Sequence, residues 1–565
     1  MSKRYLVVGG VAGGASAAAR IRRIDENADI QIYDKGPNVS FSNCCLPNYF
    51  SGEVEEIDNL ILYNPDEFRK SFNLDAKVNH EVLKIMADEH KILVKNHNTG
   101  EEFEDHYDYL ILSPGAQAIL PQSIKGIDSK NVFKIKNVYD VRLTDAHIRE
   151  NNVNDIVVVG GGFIGVEMAE NLRASGKNVT LVEASNQIMA PFDYDMAQML
   201  NKELHDNGIN LVLEDSVTEI HEDKVVLASG KEIVCEAVIM AIGVKPDVKF
   251  ATESGVKLGE TGGVLVDENF QTNLPDVYAV GDCIETFNSI LDEKTRLPLA
   301  GPAQRQARNA VNHIFGKKVT NKGVIGSSCI RVFNLNAAST GLTEKDCIAH
   351  NIDYRTSLVI PMDKVKLMPN PNPLHFKLIF EYPTGKILGA QAISKGNAVA
   401  KVDIIATMIT MGGTLDDLRE LELCYAPAYS TAKDVVNQAA FVGTNILEGV
   451  YEQVSYTKVR DLVAEGAYIL DVRGKAGFEQ SHIKGAVNIP LDEIRERYNE
   501  IPKDKTVYVH CRTSWDSYYA LQALKGYGYN NVKNIQGSFL QLSYYEYFND
   551  VTKDREPILT GYNFN

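Results

Sequence analysis

"DIVVVGGGFIGVEMAENLRASG", residues 155–176, decides how this chain is read. An apolar run enters a glycine cluster, and an apolar-periodic segment leaves it. That pattern is a buried strand, a tight turn and a helix. Gly160, Gly162 and Gly165 carry the G-x-G-x-x-G spacing. There, glycine permits the turn and the close approach of a pyrophosphate, whose charge the helix N-terminus stabilises. The next strand, "VTLVEA", ends in Glu183, close to the position about 20 residues on where an acid meets a ribose hydroxyl. The same unit occurs earlier as "RYLVVGGVAGGASAAARIRR" (4–23), followed by "IQIYDK" with Asp34. It departs at Val11, which stands in the middle glycine position between Gly9 and Gly14. Two such units, each with its acid, are stronger evidence than either alone and predict an α/β chain with two dinucleotide sites.

The 565 residues are too many for one hydrophobic core and predict three or four domains. The net charge of −17 argues against a nucleic-acid or anionic-membrane partner, while leaving room for a local basic patch that grips a phosphorylated small molecule. "KRYLVVGGVAGGASAAA" has the look of a secretion signal, but the glycine spacing makes it a strand and its turn. No apolar run reaches the ~18 residues of a spanning helix, so a cytoplasmic protein is expected. The eight cysteines form no C-x-x-C and no zinc-ligand spacing, so no metal is expected.

Further along, "YDYLILSPGAQAILP" (107–121) and "VIMAIGVKPD" (238–247) read as crossings between two nucleotide domains. "TNLPDVYAVGDCIE" (272–285) is a strand ending at Gly281-Asp282. Residues 325–445 alternate strands and helices without glycine fingerprints, and the pattern changes again after "ILEGVYEQ" (446–453).

These features together resemble the pyridine nucleotide–disulfide oxidoreductases. "SFSNCCLP" (40–47) is similar to the S-F-x-N-C-x-L-P of coenzyme A-disulfide reductases. "LDVRGKAGFEQSHIKGAVNIP" (470–490) and "VHCRTS" (509–514) resemble a rhodanese domain and its sulfur-carrying cysteine. The combination looks like the fused reductase/rhodanese enzymes, which include NADH-dependent coenzyme A-persulfide reductases. The resemblance implies two Rossmann-like nucleotide-binding domains, for FAD (1–118 plus 247–323) and NAD(P)H (119–246). It implies an α+β dimerisation domain (324–446), a linker (447–453) and an α/β rhodanese domain (454–560), in a homodimer.

Residue by residue, the resemblance puts FAD on Gly9, Ala12, Gly13 and Gly14. Asp34 would meet its ribose, Ser113 and Gly115 would lie near the crossover, and Asp282 on the ribityl chain. Lys35, Val82 and Ala303 join the cofactor set. The nicotinamide nucleotide would lie on Gly160, Gly162, Ile164, Gly165, Glu183 and Gly243, with Glu167 near its ring. Glu183 is followed by "ASNQ", without an arginine for a 2′-phosphate, which favours NADH and leaves NADPH as the alternative. Coenzyme A would be met by Ser16, Arg20, Arg23, Ser40 and Asn43, with Lys433 from the partner subunit. Tyr425 matches a family tyrosine near the other subunit's reactive sulfur.

Cys44 is the expected redox thiol, its pKa lowered by a helix start. Tyr49 stands where a C-x-x-x-x-C dithiol would have its second cysteine. A single thiol must form a mixed disulfide with an external thiol, which fits coenzyme A persulfides, polysulfides or disulfides. Cys45 reads as a packing residue, since adjacent Cα atoms ~3.8 Å apart suit a disulfide poorly; a second sulfur acceptor is the alternative. Cys511 would carry sulfane sulfur. Its loop departs from the C-x-x-G-x-R of relatives at Ser514 and Asp516, and Leu367 and Met368 replace a family tyrosine pair. A plain coenzyme A-disulfide reductase with a passive tail is the main alternative. An NADH oxidase or peroxidase is disfavoured by Ala12, where peroxidatic relatives carry histidine, and a non-enzymatic sulfur-trafficking module by the two nucleotide motifs.

Overall fold

The computed structural model describes residues 3–564. The chain forms two compact units, one of 1–186 with 212–324 and one of 187–211 with 325–565.

In the first unit the strand Arg4–Val8 lies between Asp29–Tyr33 and Tyr109–Leu112, parallel to both, with Val277–Ala279 and Asp75–Lys77 at the edges. Leu6 and Val7 are fully buried, the reason for an unbroken apolar run rather than an alternating one. The helices Ala12–Ile24 and Ala300–Ile314 pack along each other through small residues, among them Ala17, Ala307 and Ala310. A second parallel sheet repeats the plan, with Asp155–Val159 between Asn178–Glu183 and Ala237–Met240, and Val132–Phe133 beyond. The two expected crossings, Ala116–Ala118 and Val244–Pro246, pair antiparallel.

In the second unit an antiparallel five-stranded sheet is covered by the helices Val399–Met411 and Val435–Leu447. A parallel five-stranded sheet, with Val507–His510 at its centre, holds the C-terminal region. The helix Tyr194–Asp206 packs on the helix Ser538–Thr552 of that region. The segment 119–246, expected as one nucleotide domain, therefore contributes to both units.

Candidate active site

The two glycine turns are built alike. Gly9 and Gly160 have φ of +91° and +110°, in the region that favours glycine. A Cβ on Gly9 would lie 2.1 Å from the Ser113 carbonyl oxygen, and one on Gly160 would lie 2.4 Å from that of Ala241. Gly14 and Gly165 each rest on the carbonyl oxygen of the turn's first glycine, at 1.8 Å from an imagined Cβ. Gly162 differs, because a Cβ there would meet nothing within 4 Å. That side of the turn faces open space.

The two acids also do matching work. The Asp34 carboxylate accepts hydrogen bonds from the N–H groups of Gly10 and Gly36, both at 2.8 Å. Glu183 accepts from Gly161 at 2.6 Å and from Ser185 at 2.7 Å. Each acid thus braces its own glycine turn. Burial raises the Asp34 carboxyl above its ordinary value despite those two bonds.

A cavity of about 360 Å³ opens at the first turn. Of the residues expected at FAD, Gly9, Ala12, Gly13, Asp34, Lys35, Ser113, Gly115, Asp282 and Ala303 line it. Gly14 packs beneath the turn, and Val82 is buried in an antiparallel strand opposite Val94. Asn43, expected at coenzyme A, lines this cavity as well, and its Oδ1 is buried without a hydrogen-bond partner. A mixed polar and apolar wall, with glycine backbone and the Asp34 carboxylate at the turn, fits a bound dinucleotide cofactor. Lys134 and Lys136 also line it and were not foreseen from sequence, since no motif surrounds them. Lys136 Nζ lies 3.8 Å from Asp282 Oδ2. Lys35 pairs with Asp247, which also accepts from Gln117 Nε2 at 2.5 Å.

Cys44 sits next to Asn43 in a three-residue 3₁₀ turn, Asn43–Cys45, and is exposed, while Cys45 is half-buried. One expectation is corrected here. Cys44 is exposed, but the surrounding protein partly screens its sulfur from water. That desolvation first, then the Glu167, Cys45 and Asp282 charges, push the Cys44 thiol above its ordinary pKa, with Lys136 opposing them. A turn this short brings too few aligned peptide dipoles to favour a thiolate.

Ser16, Arg20 and Arg23 follow one face of the helix Ala12–Ile24. Arg22 is buried and turned away, donating to the carbonyls of Asn73 and Glu26. Ser40 adopts φ +48° and donates its N–H to the Gly10 carbonyl, tying the cysteine loop to the glycine turn. In the second unit Tyr425 and Lys433 lie exposed on the loop before Val435–Leu447, and Leu367 is 89% exposed.

Cys511 is buried at the end of the central C-terminal strand. Its N–H donates to Ser538 Oγ at 3.2 Å. Among the described residues, the N–H groups of Arg512, Thr513 and Ser514 find no protein acceptor, the arrangement that cradles an anion. Ser514, in the glycine position of the relatives' loop, has φ +72°. Its Oγ donates to the Ile535 carbonyl at 3.1 Å and meets Ser538 Oγ at 3.0 Å, contacts that offset the strain of a side chain in that conformation. Asp516 is exposed on the first turn of the helix Trp515–Gly526.

Two glycine-turn nucleotide folds, a cysteine beside the first and an appended cysteine loop define a two-nucleotide redox protein with a sulfur-handling module. The pyridine nucleotide-disulphide oxidoreductase model matches residues 3–307, its dimerisation-domain model 328–435, and the rhodanese-like domain model 455–543. The chain belongs to the pyridine nucleotide-disulphide oxidoreductase family. It is 33% identical to coenzyme A disulfide reductase of Staphylococcus aureus strain COL over 439 residues, covering 78% of this chain and 99% of the relative. The crystal structure of reduced Bacillus anthracis CoADR-RHD matches with a TM-score of 0.93 at 42% identity, over 96% of this chain and 98% of that one. An NAD-dependent persulfide reductase from A. fulgidus matches with a TM-score of 0.90 at 33% identity, over 95% and 99%. The protein is an oxidoreductase acting on sulfur, of a family that uses FAD and NAD(P)H. No described helix is long and apolar enough to cross a membrane.

Proposed function

We propose that this chain is an NADH-dependent flavoprotein that reduces coenzyme A persulfide or polysulfide through Cys44, in a homodimer. The carrying observation is the exposed Cys44 beside the cavity-lining Asn43, with Tyr49 where a partner cysteine would stand. A lone thiol cannot close an internal disulfide, so the substrate's own thiol must complete the bond.

The Cys44 thiolate attacks the inner sulfur of coenzyme A persulfide, expelling HS⁻ and forming Cys44–S–S–CoA. An electron pair and protons then return Cys44 and coenzyme A as separate thiols. A bound flavin supplies the conversion of a nicotinamide hydride into that electron pair. Gly9, Gly13 and the braced Asp34 would hold it. On the second turn Gly162 leaves the open side for NADH, and the Glu183 carboxylate would repel a 2′-phosphate. Cys511 takes up sulfane sulfur as a persulfide and passes it to a thiol, held as an anion by its loop N–H groups.

The test is NADH-dependent sulfide release from coenzyme A persulfide. Cys44→Ser is expected to abolish it, and retained activity would sink the reading. Asp516, an anion where relatives carry a cation, favours a second reading, coenzyme A-disulfide reduction with a passive tail. A kcat/KM for coenzyme A disulfide well above that for the persulfide would establish it.

A further inference from the structure

The loop after Cys511 reads Arg512-Thr513-Ser514-Trp515-Asp516. Cys511 itself is 1% exposed, so a sulfur donor must reach it with a narrow end. Arg512 is half-buried beside it, and among the described residues no carboxylate pairs with its guanidinium. Burial first, then Arg473, lower the Arg512 pKa, while Tyr544 and the Cys511 sulfur oppose them. Arg473 is engaged elsewhere: it pairs with the Asp471 carboxylate and donates to the Ser481 carbonyl at 2.7 Å. Arg512 is thus the uncommitted cation of the loop, next to three backbone N–H groups without a protein acceptor. Asp516 limits that positive field. It stands on the first turn of the helix Trp515–Gly526, where a carboxylate offsets the positive end of the helix dipole. In sequence between them is the chain's only tryptophan. Trp515 is 55% exposed, and its ring lies 6.0 Å from that of Tyr519, itself 50% exposed one turn along the same helix. Two aromatic faces open to water, within one turn of a sulfur loop, form a surface for an organic group rather than for an inorganic ion.

We propose that Trp515 and Asp516 make the Cys511 loop selective for the persulfide of an organic thiol, R–S–SH, over the inorganic dianion thiosulfate. This rests on the function proposed above, in which Cys511 takes up sulfane sulfur, and deepens it by naming the donor class. Cys511–S⁻ attacks the outer sulfur of R–S–SH. A bond forms between Sγ and that sulfur as the donor's S–S bond breaks. R–S⁻ leaves with the electron pair, and Cys511–S–SH remains. No outside oxidant or reductant is needed. The reacting pair carries one negative charge throughout, which Arg512 and the loop N–H groups offset. Thiosulfate brings two charges more, and the Asp516 carboxylate repels them. The arm R meets Trp515 beside the loop. Asp516 then marks a change of donor rather than an idle loop.

The test follows transfer of sulfur to cyanide by the full-length flavoprotein without NADH, read as thiocyanate formed above the background of Cys511→Ser. The donors are glutathione persulfide and thiosulfate. The wild type should show a kcat/KM for the persulfide at least roughly tenfold above that for thiosulfate. Trp515→Ala should raise KM for the persulfide roughly fivefold, with kcat and the thiosulfate KM unmoved, and Trp515→Phe should restore most of the loss. Asp516→Arg should raise kcat/KM for thiosulfate. Emission from the single tryptophan should quench saturably as glutathione is added to Cys511→Ser. A wild type that uses thiosulfate as well as the persulfide, or a Trp515→Ala that weakens both donors alike, overturns the selectivity while leaving Cys511 a sulfur carrier. Transfer from neither donor overturns the selectivity and the sulfur-carrying role together, and NADH-dependent sulfide release through Cys44 is read separately.

Discussion

In the proposed reaction Cys44 must lose its proton before it attacks sulfur, and its surroundings oppose that loss. Desolvation of its sulfur and the Glu167 charge hold the thiol above the ordinary value, and Lys136 only partly compensates. A raised pKa means a smaller thiolate fraction at neutral pH and a rate that climbs as pH rises through the higher midpoint. Alkylation of Cys44 by iodoacetamide, followed against pH, is expected to show a midpoint above the ~8.5 of a free thiol. Glu167→Gln should bring the midpoint down and Lys136→Met should raise it further. Cys44 stood out as the candidate nucleophile from its S-x-N-C context. Its proton affinity was not legible there, because Glu167, Asp282 and Lys136 lie far from it in sequence.

At the scale of elements, the glycines of one turn have separable tasks. Gly165 packs on the Gly160 carbonyl, so Gly165→Ala should prevent the turn from forming. Gly162 faces open space, so Gly162→Ala should leave the melting temperature near that of the wild type. NADH affinity, read by quenching of nucleotide fluorescence, should nonetheless fall, because the new methyl occupies the pyrophosphate's side. Spacing alone announced both turns, since strand, glycines and helix are local features with fixed periods. It assigned Asp34 and Glu183 to ribose, and their bonds to Gly10 and Gly161 became visible only when strand and turn were brought together. The Ser514 departure is explained in the same way: its hydroxyl finds two partners, Ile535 and Ser538, that sequence proximity does not supply.

At the scale of the whole molecule, the second unit is tied by one buried cation. Lys377 contacts both Asp195 carboxylate oxygens at 2.9 Å, Asp193 at 3.0 Å and Glu344. Tyr456, from the C-terminal region, donates to the same Asp195 at 2.6 Å. Burial opposes the Lys377 charge, but Asp195, Asp193 and Glu344 outweigh it and hold the ammonium well above its ordinary pKa. Removing one member of such a buried set strands the others. Lys377→Met should therefore cost about 3–5 kcal/mol, read as an earlier midpoint in chemical denaturation with unchanged Cys44 alkylation in the native state.

By itself the sequence determined the local units: two strand–turn–helix motifs, the candidate cysteines Cys44 and Cys511 in their loops, and the order of the family regions. Each is written in adjacent residues, so short-range periodicity and turn chemistry suffice to read it. Tertiary structure decided the rest: the field around Cys44, the bracing of the turns, and the Lys377 tie that joins 187–211 to the C-terminal region. These depend on charge and packing between residues separated by tens to hundreds of positions, and such energies exist only once the chain has folded.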